Sequence, residues 1–153
     1  PGRMQRLRPG PLTDLARPNS ELWLDGGHNP AGGQAIAQTL ADLEERSSSP
    51  VYLVVGMMGQ KDAPGFLSPF RGLVKEIVTV PFPGAHEASH QPEMLAGIAR
   101  ELGFQASAAS DVPEAIGLIE ANDSQPKRIL ICGSLYLAGR VLALQQGVKQ
   151  QLN

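Results

Sequence analysis

At 153 residues the chain has the length of one ordinary domain, enough to bury a full core. Hydrophobic residues at 42% and charged residues at 18% exclude a disordered chain, and a formal net charge of −2 with dispersed Lys and Arg gives no electrostatic ground for a nucleic acid or an anionic membrane as partner. The single cysteine, Cys132, excludes an intrachain disulfide; lying in an apolar run, it reads as a buried thiol in a cytoplasmic protein.

The chain opens on Pro1 and its first methionine is Met4, already within a structured pattern, so a piece of a longer protein is expected. Pro1 to Leu7 suits a short strand, and Pro9, Gly10, Pro11 and Pro18 mark a turn-rich connection. A strand from Glu21 ends on Asp25, a turn follows over Gly26 to Asn29, and Pro30 opens a helix expected to reach Arg46 with Ile36, Leu40 and Leu43 on one face. Val51 to Val55 is continuously apolar, as in a strand buried on both faces of a parallel sheet. After Gly56, a Pro-interrupted helix is expected over Ala63 to Arg71 and a strand over Ile77 to Val80. Leu95, Ile98, Ala99 and Leu102 form a helical stripe that Gly103 closes, and Phe104 to Ser107 reads as a short strand. Asp111 and Glu114 resemble a capping box for a helix burying Val112, Ile116 and Ile119. Arg128 to Cys132 is the last expected strand, and Ser134 opens a helix with Leu137, Val141 and Leu144 in register. Strands alternating with helices predict one α/β domain: a mostly parallel sheet with helices on both faces.

Three strand-to-helix corners would then share the carboxyl edge of the sheet, where α/β proteins bind ligands. At the first, Asp25 suits a ribose hydroxyl while His28 and Asn29 suit a polar ligand; alternatively Asp25 and Asn29 cap a turn and His28 is a surface residue. At the second, Lys61 suits a carboxylate or phosphate and Asp62 an ammonium group, or the two form a solvated ion pair. At the third, the Ser134 hydroxyl and the helix N-terminus make a carboxylate site or a simple N-cap.

Two patterns mislead. Gly27 to Gly32 has the glycine spacing of a phosphate-binding P-loop, but Gly33-Gln34 stands where Lys-Ser/Thr is needed. His86-Glu87-x-x-His90 spells a zinc-hydrolase motif, yet that chemistry needs a continuous helix, and here Pro81, Pro83, Gly84 and Pro92 bracket the segment. No metal-binding residue is therefore assigned.

LDGGHNP, GMMGQKD, PFPG and CGSLYLAG, following an opening Pro-Gly-Arg, resemble in order and spacing the C-terminal domain of the folylpolyglutamate synthase and dihydrofolate synthase family, Mur-type ATP-dependent amide ligases. The resemblance implies a Rossmann-like domain that closes over ATP held mainly by a central ATPase domain, which this chain lacks. It implies that Arg3, Asp25 and Asn29 contact ATP, and that His28, Lys61, Asp62, Ser134 and Tyr136 surround L-glutamate, with His28 and Lys61 the catalytic pair. The family reaction phosphorylates a dihydropteroate or folate carboxylate with MgATP, and the glutamate amine then attacks the acyl phosphate. Mg2+ ligands are expected in the central domain, so this chain alone needs no cofactor and is expected to be inactive. The readings that compete are a free-standing Rossmann-like module binding a nucleotide or amino acid, and the zinc hydrolase.

Overall fold

The computed structural model describes residues 3–82 and 90–147. Six strands form one sheet in the order β1-β2-β6-β3-β4-β5. In the chain these are β1 (Gln5–Arg6), β2 (Glu21–Leu24), β3 (Val51–Val55), β4 (Glu76–Thr79), β5 (Ala106–Ala108) and β6 (Arg128–Cys132). β2 to β6 run parallel, and only the two-residue β1 is antiparallel, on the free side of β2.

Because successive side chains of a strand point to opposite faces, each buried strand feeds two cores. Leu22, Leu24, Tyr52, Val54, Ile129 and Ile131 pack on one face beneath α4 (Val112–Asn122) and α5 (Leu135–Gln145). Val51, Leu53, Val55, Ile77, Leu130 and Cys132 pack on the other beneath α1 (Pro30–Arg46), α2 (Ala63–Leu67) and α3 (Pro92–Glu101). All five residues of β3 and of β6 are buried, as their apolar composition requires. Removing each such Leu, Ile or Val side chain from water contributes about 1.5–3 kcal/mol.

Four of the five α-helices among the described residues begin on a polar side-chain cap, and α3 does not. Asn29, Asp62, Asp111 and Ser134 each accept a hydrogen bond from the backbone N–H three residues on, at 2.8, 2.9, 2.8 and 3.2 Å. At Asp111 the capping box is displaced by one residue, for the Glu114 carboxylate reaches back to the Ser110 N–H. α1 lies so close to α2 that a Cβ on Gly33 would stand 2.3 Å from the Phe66 carbonyl oxygen.

Some expected elements differ in extent: the strand expected over Pro1 to Leu7 is Gln5–Arg6, and that expected over Ile77 to Val80 is Glu76–Thr79. The Ala63 to Arg71 helix is a five-residue α2 followed by a 3-10 turn, Ser68–Phe70, because Pro69 cannot supply an N–H to continue an α-helix. β5 begins at Ala106, since the Phe104 N–H is still donated to Ala99 at the end of α3. In α1 the buried face is Gly33, Ile36, Ala37 and Leu40, with Leu43 half-buried.

Charged groups close the amino edge of the sheet. Arg128, buried, donates to Glu21 at 2.9 Å and to the Ser47 carbonyl at 3.2 Å. Burial pushes the Glu21 carboxyl up, but hydrogen bonds from Arg128 and Trp23 prevail and hold it below its ordinary value. Buried Lys127 lies 3.1 Å from Glu120, which Arg17 also meets at 3.3 Å.

Candidate functional site

The parallel register brings three strand ends level, with Leu24 beside Ile131, Ile131 beside Val54, and Cys132 beside Val55. The corners beyond them are bonded to one another. Asp25 donates its N–H to Ile131, Gly56 to Cys132, and Gly133 to Gly27, at 3.0, 3.3 and 3.0 Å. Gly133 makes this possible: its φ is +111°, and an added Cβ would lie 2.5 Å from the Gly56 carbonyl. The corners of Asp25, Lys61 and Ser134 therefore gather along one rim.

Two clefts adjoin there. The larger, about 570 Å³, is lined by Arg3, Met4, Asp25, Gly27, His28 and Leu135 among others. The smaller, about 290 Å³, is lined by His28, Met58, Lys61, Gly133, Ser134, Leu135 and Tyr136. His28 and Leu135 belong to both. Of the residues expected to meet a nucleotide, Arg3 and Asp25 line the larger hollow, and of those expected to meet an amino acid, His28, Lys61, Ser134 and Tyr136 line the smaller, the two sharing one wall.

Each side chain in the rim has a definite state. Asp25 is buried, and its carboxylate accepts the Gly27 N–H at 2.7 Å and the Met4 N–H at 2.9 Å. The His28 Nδ1 lies 3.1 Å from the Gly26 carbonyl. A carbonyl only accepts, so Nδ1 is the donor in this contact, and Nε2 is the ring nitrogen left to face the cleft. The Ser134 hydroxyl accepts the Leu137 N–H, which leaves its own proton to donate. It does so at the N-terminus of an eleven-residue helix, where free N–H groups and the helix dipole favour an anion. Lys61 is half-buried. The Tyr136 ring packs against Phe82 with centroids 5.6 Å apart.

Asn29 and Asp62 are not among the residues lining either cleft; one oxygen of each is engaged as a helix cap. His86 and Glu87 lie outside the described residues. His90 is non-helical, its N–H bonded to the Met57 carbonyl at 2.8 Å and its Nε2 3.4 Å from the Lys61 carbonyl. Among the described residues no group of three or more His, Cys, Asp or Glu is placed to hold a metal ion.

Sequence reasoning missed Met4, Leu135 and His90. Leu135 was within reach, because the buried stripe of α5 through Leu137 and Val141 leaves Leu135 and Tyr136 outward, at 66% and 42% exposure. Met4 was not, since its left-handed backbone, φ +37°, has no signal in a methionine.

The family described as Mur ligase, glutamate ligase domain, matches residues 2–135. A folylpolyglutamate synthase of Lacticaseibacillus casei is 27% identical over 149 residues, covering 92% of this chain and 28% of that protein. Among solved structures, Mycobacterium tuberculosis folylpolyglutamate synthase complexed with ADP and AMPPCP superposes with a TM-score of 0.70 at 27% identity, over 94% of this chain and 32% of that one. A bifunctional folylpolyglutamate synthase/dihydrofolate synthase with Mn, AMPPNP and L-glutamate bound gives 0.69 at 28% identity, over 94% and 31%. The chain thus spans about a third of the length of these relatives. The family match takes in all three corners of the rim, and with the shared fold it establishes that this chain belongs to the Mur ligase, glutamate ligase domain family.

Proposed function

We propose that this domain serves an ATP-dependent ligase that joins L-glutamate to a dihydropteroate or folate carboxylate, and that its share is to hold glutamate and close over the nucleotide. The observation that carries the reading is the pair of adjoining clefts, one with Arg3 and Asp25, the other with Lys61 and Ser134, meeting at His28. The Arg3 guanidinium, beside the Asp25 corner, suits the phosphates of ATP. An ammonium group, a hydroxyl donor and a helix N-terminus suit the carboxylates of an amino acid.

In the reaction a carboxylate oxygen of the folate-type substrate attacks the γ-phosphorus of ATP, and ADP leaves. The glutamate amine then attacks the acyl carbon, the amide bond forms, and phosphate departs with the bonding pair. The amine must lose a proton to attack, and His28, at the junction of the clefts with Nδ1 held by the Gly26 carbonyl, is placed to present Nε2 to that amine. Lys61 and the Ser134 hydroxyl hold the glutamate carboxylates, with Asp62 and Tyr136 at the margin. Asn29 fixes the start of α1 beside the nucleotide. The domain's largest contribution is positioning, which turns a bimolecular attack into an intramolecular one. Mg2+, which the family reaction uses, finds no cluster of ligands among the described residues. We place its ligands in the remainder of such a ligase.

The test is a split between substrates in the complete enzyme. Ser134→Ala should raise KM for glutamate by about tenfold, the loss of one hydrogen bond to a charged group, and leave KM for ATP near wild type. Asp25→Ala should act on ATP instead. The opposite pattern would overturn the assignment of the two clefts.

A further inference from the structure

The Asp25 carboxylate is 6% exposed, and its two oxygens are committed in different directions. One accepts the N–H of Gly27, two residues on, and shapes the turn that carries His28. The other accepts the N–H of Met4, 21 residues earlier, at 2.9 Å, and ties the end of β2 to the residue just before β1. Met4 has φ +37°, a conformation that non-glycine residues rarely adopt and hold only when their surroundings compensate. The residue before that bend is Arg3, whose exposed side chain lines the larger cleft beside Asp25. β1 pairs over only two residues at the free edge of the sheet, so its ladder alone is a weak anchor for this segment.

We propose that Asp25 is a positioning residue for Arg3: by holding the Met4 N–H it fixes a left-handed bend that sets the guanidinium over the larger cleft, where it meets the phosphates of the nucleotide. The inference rests on the proposed function for the identity of the anion, whereas the Asp25–Met4 link is a property of the chain itself. It differs from a direct ribose contact in what it couples. A ribose contact makes Asp25 independent of Arg3 and sensitive to the sugar hydroxyls; positioning makes it dependent on Arg3 and indifferent to them.

Two measurements test it. Amide hydrogen exchange on this chain should show the Met4 N–H protected, with protection lost in Asp25→Asn while the amides of β3 and β6 stay protected. In the complete ligase, Arg3→Ala and Asp25→Asn should each raise KM for ATP about tenfold with kcat at saturating ATP little changed, and the double variant should add no more than about twofold. The Asp25→Asn ratio should be the same with 2′-deoxy-ATP and 3′-deoxy-ATP. Met4→Pro, which removes the N–H and cannot take a positive φ, should reproduce the KM increase with Asp25 intact and serves where Asp25→Asn does not fold. Additive losses, an Asp25→Asn defect that vanishes with the deoxynucleotides, a wild-type KM in Met4→Pro, or free exchange at Met4 would each overturn the proposal. A wild-type ligase with no dependence on ATP would instead remove the functional reading, and the role of Arg3 with it.

Discussion

At the scale of single residues, the rim depends on two glycines with different tolerances. Gly133 combines φ +111° with a backbone oxygen 2.5 Å from any added Cβ, so Gly133→Ala should lower stability by about 2 kcal/mol or more and pull the three corners apart, read as a fall in the urea midpoint. At Gly27 a Cβ would meet the Ile36 Cδ1 at 2.8 Å and the Asp25 Oδ1 at 3.0 Å, both ends of side chains that can shift slightly. Gly27→Ala should therefore fold with a midpoint close to wild type. Far from the rim, the Tyr52 hydroxyl donates to Asp123 at 2.6 Å; burial, then that bond and the Asp123 charge, push the Tyr52 pKa up. The fold favours the neutral phenol, so its stabilisation is whole below about pH 10 and is lost as pH rises toward the folded pKa. Tyr52→Phe should flatten that alkaline loss in a pH series of thermal melts, at a cost near neutrality of about 0.5–1.5 kcal/mol. What was legible at this scale was local chemistry. Asp111 and Ser134 were legible as caps because short polar side chains precede helical patterns, a relation that spans four residues, whereas Asp62, read as an ion pair or an ammonium site, is a cap of the same kind. The bond from Asp25 to Met4 spans 21 residues and no pattern announces it.

At the scale of elements, periodicity placed the cores well, and the deviations have local causes. Phe104 was expected to start a strand because it is apolar and follows Gly103, yet its N–H finishes α3 and its ring seals the second core instead. Pro69 shortens α2, and the corner of Lys61, which precedes that helix, is a loop braced from outside. Part of that brace is His90, just before α3, whose N–H holds the Met57 carbonyl and whose ring faces the Lys61 carbonyl at 3.4 Å. His90→Ala keeps the backbone bond and loses the weaker one. We expect KM for glutamate to rise a few-fold in the complete enzyme and KM for ATP to stay unchanged, and equal effects on both would mean that His90 supports the rim as a whole. The segment from which His90 emerges had a motif reading that the site did not absorb, since the brace uses His90 as an ordinary donor to a carbonyl.

At the scale of the whole molecule, the α/β class and parallel sense followed from alternating elements, whereas the strand order did not, because nothing in β6 names its neighbours. The expectation that three distant corners share a rim was a topological deduction, and the register of β2, β6 and β3 bears it out. The proposed ligands rest on spaced motifs resembling a family, since Lys61 or Ser134 alone suits many anions. With no metal-binding cluster among the described residues and no P-loop lysine, this chain given ATP, glutamate and dihydropteroate should form no amide product, as chromatography of the mixture would show. β6 carries a further consequence: among the strands it is the last to leave the ribosome, yet it lies at the centre of the sheet between β2 and β3. Until residues 128–132 emerge, the earlier strands form two separate groups with no seam between them, and the nascent chain has no continuous core to collapse upon. A polypeptide ending before Lys127 should accordingly melt without a cooperative transition, and the rim can form only once β6 has emerged.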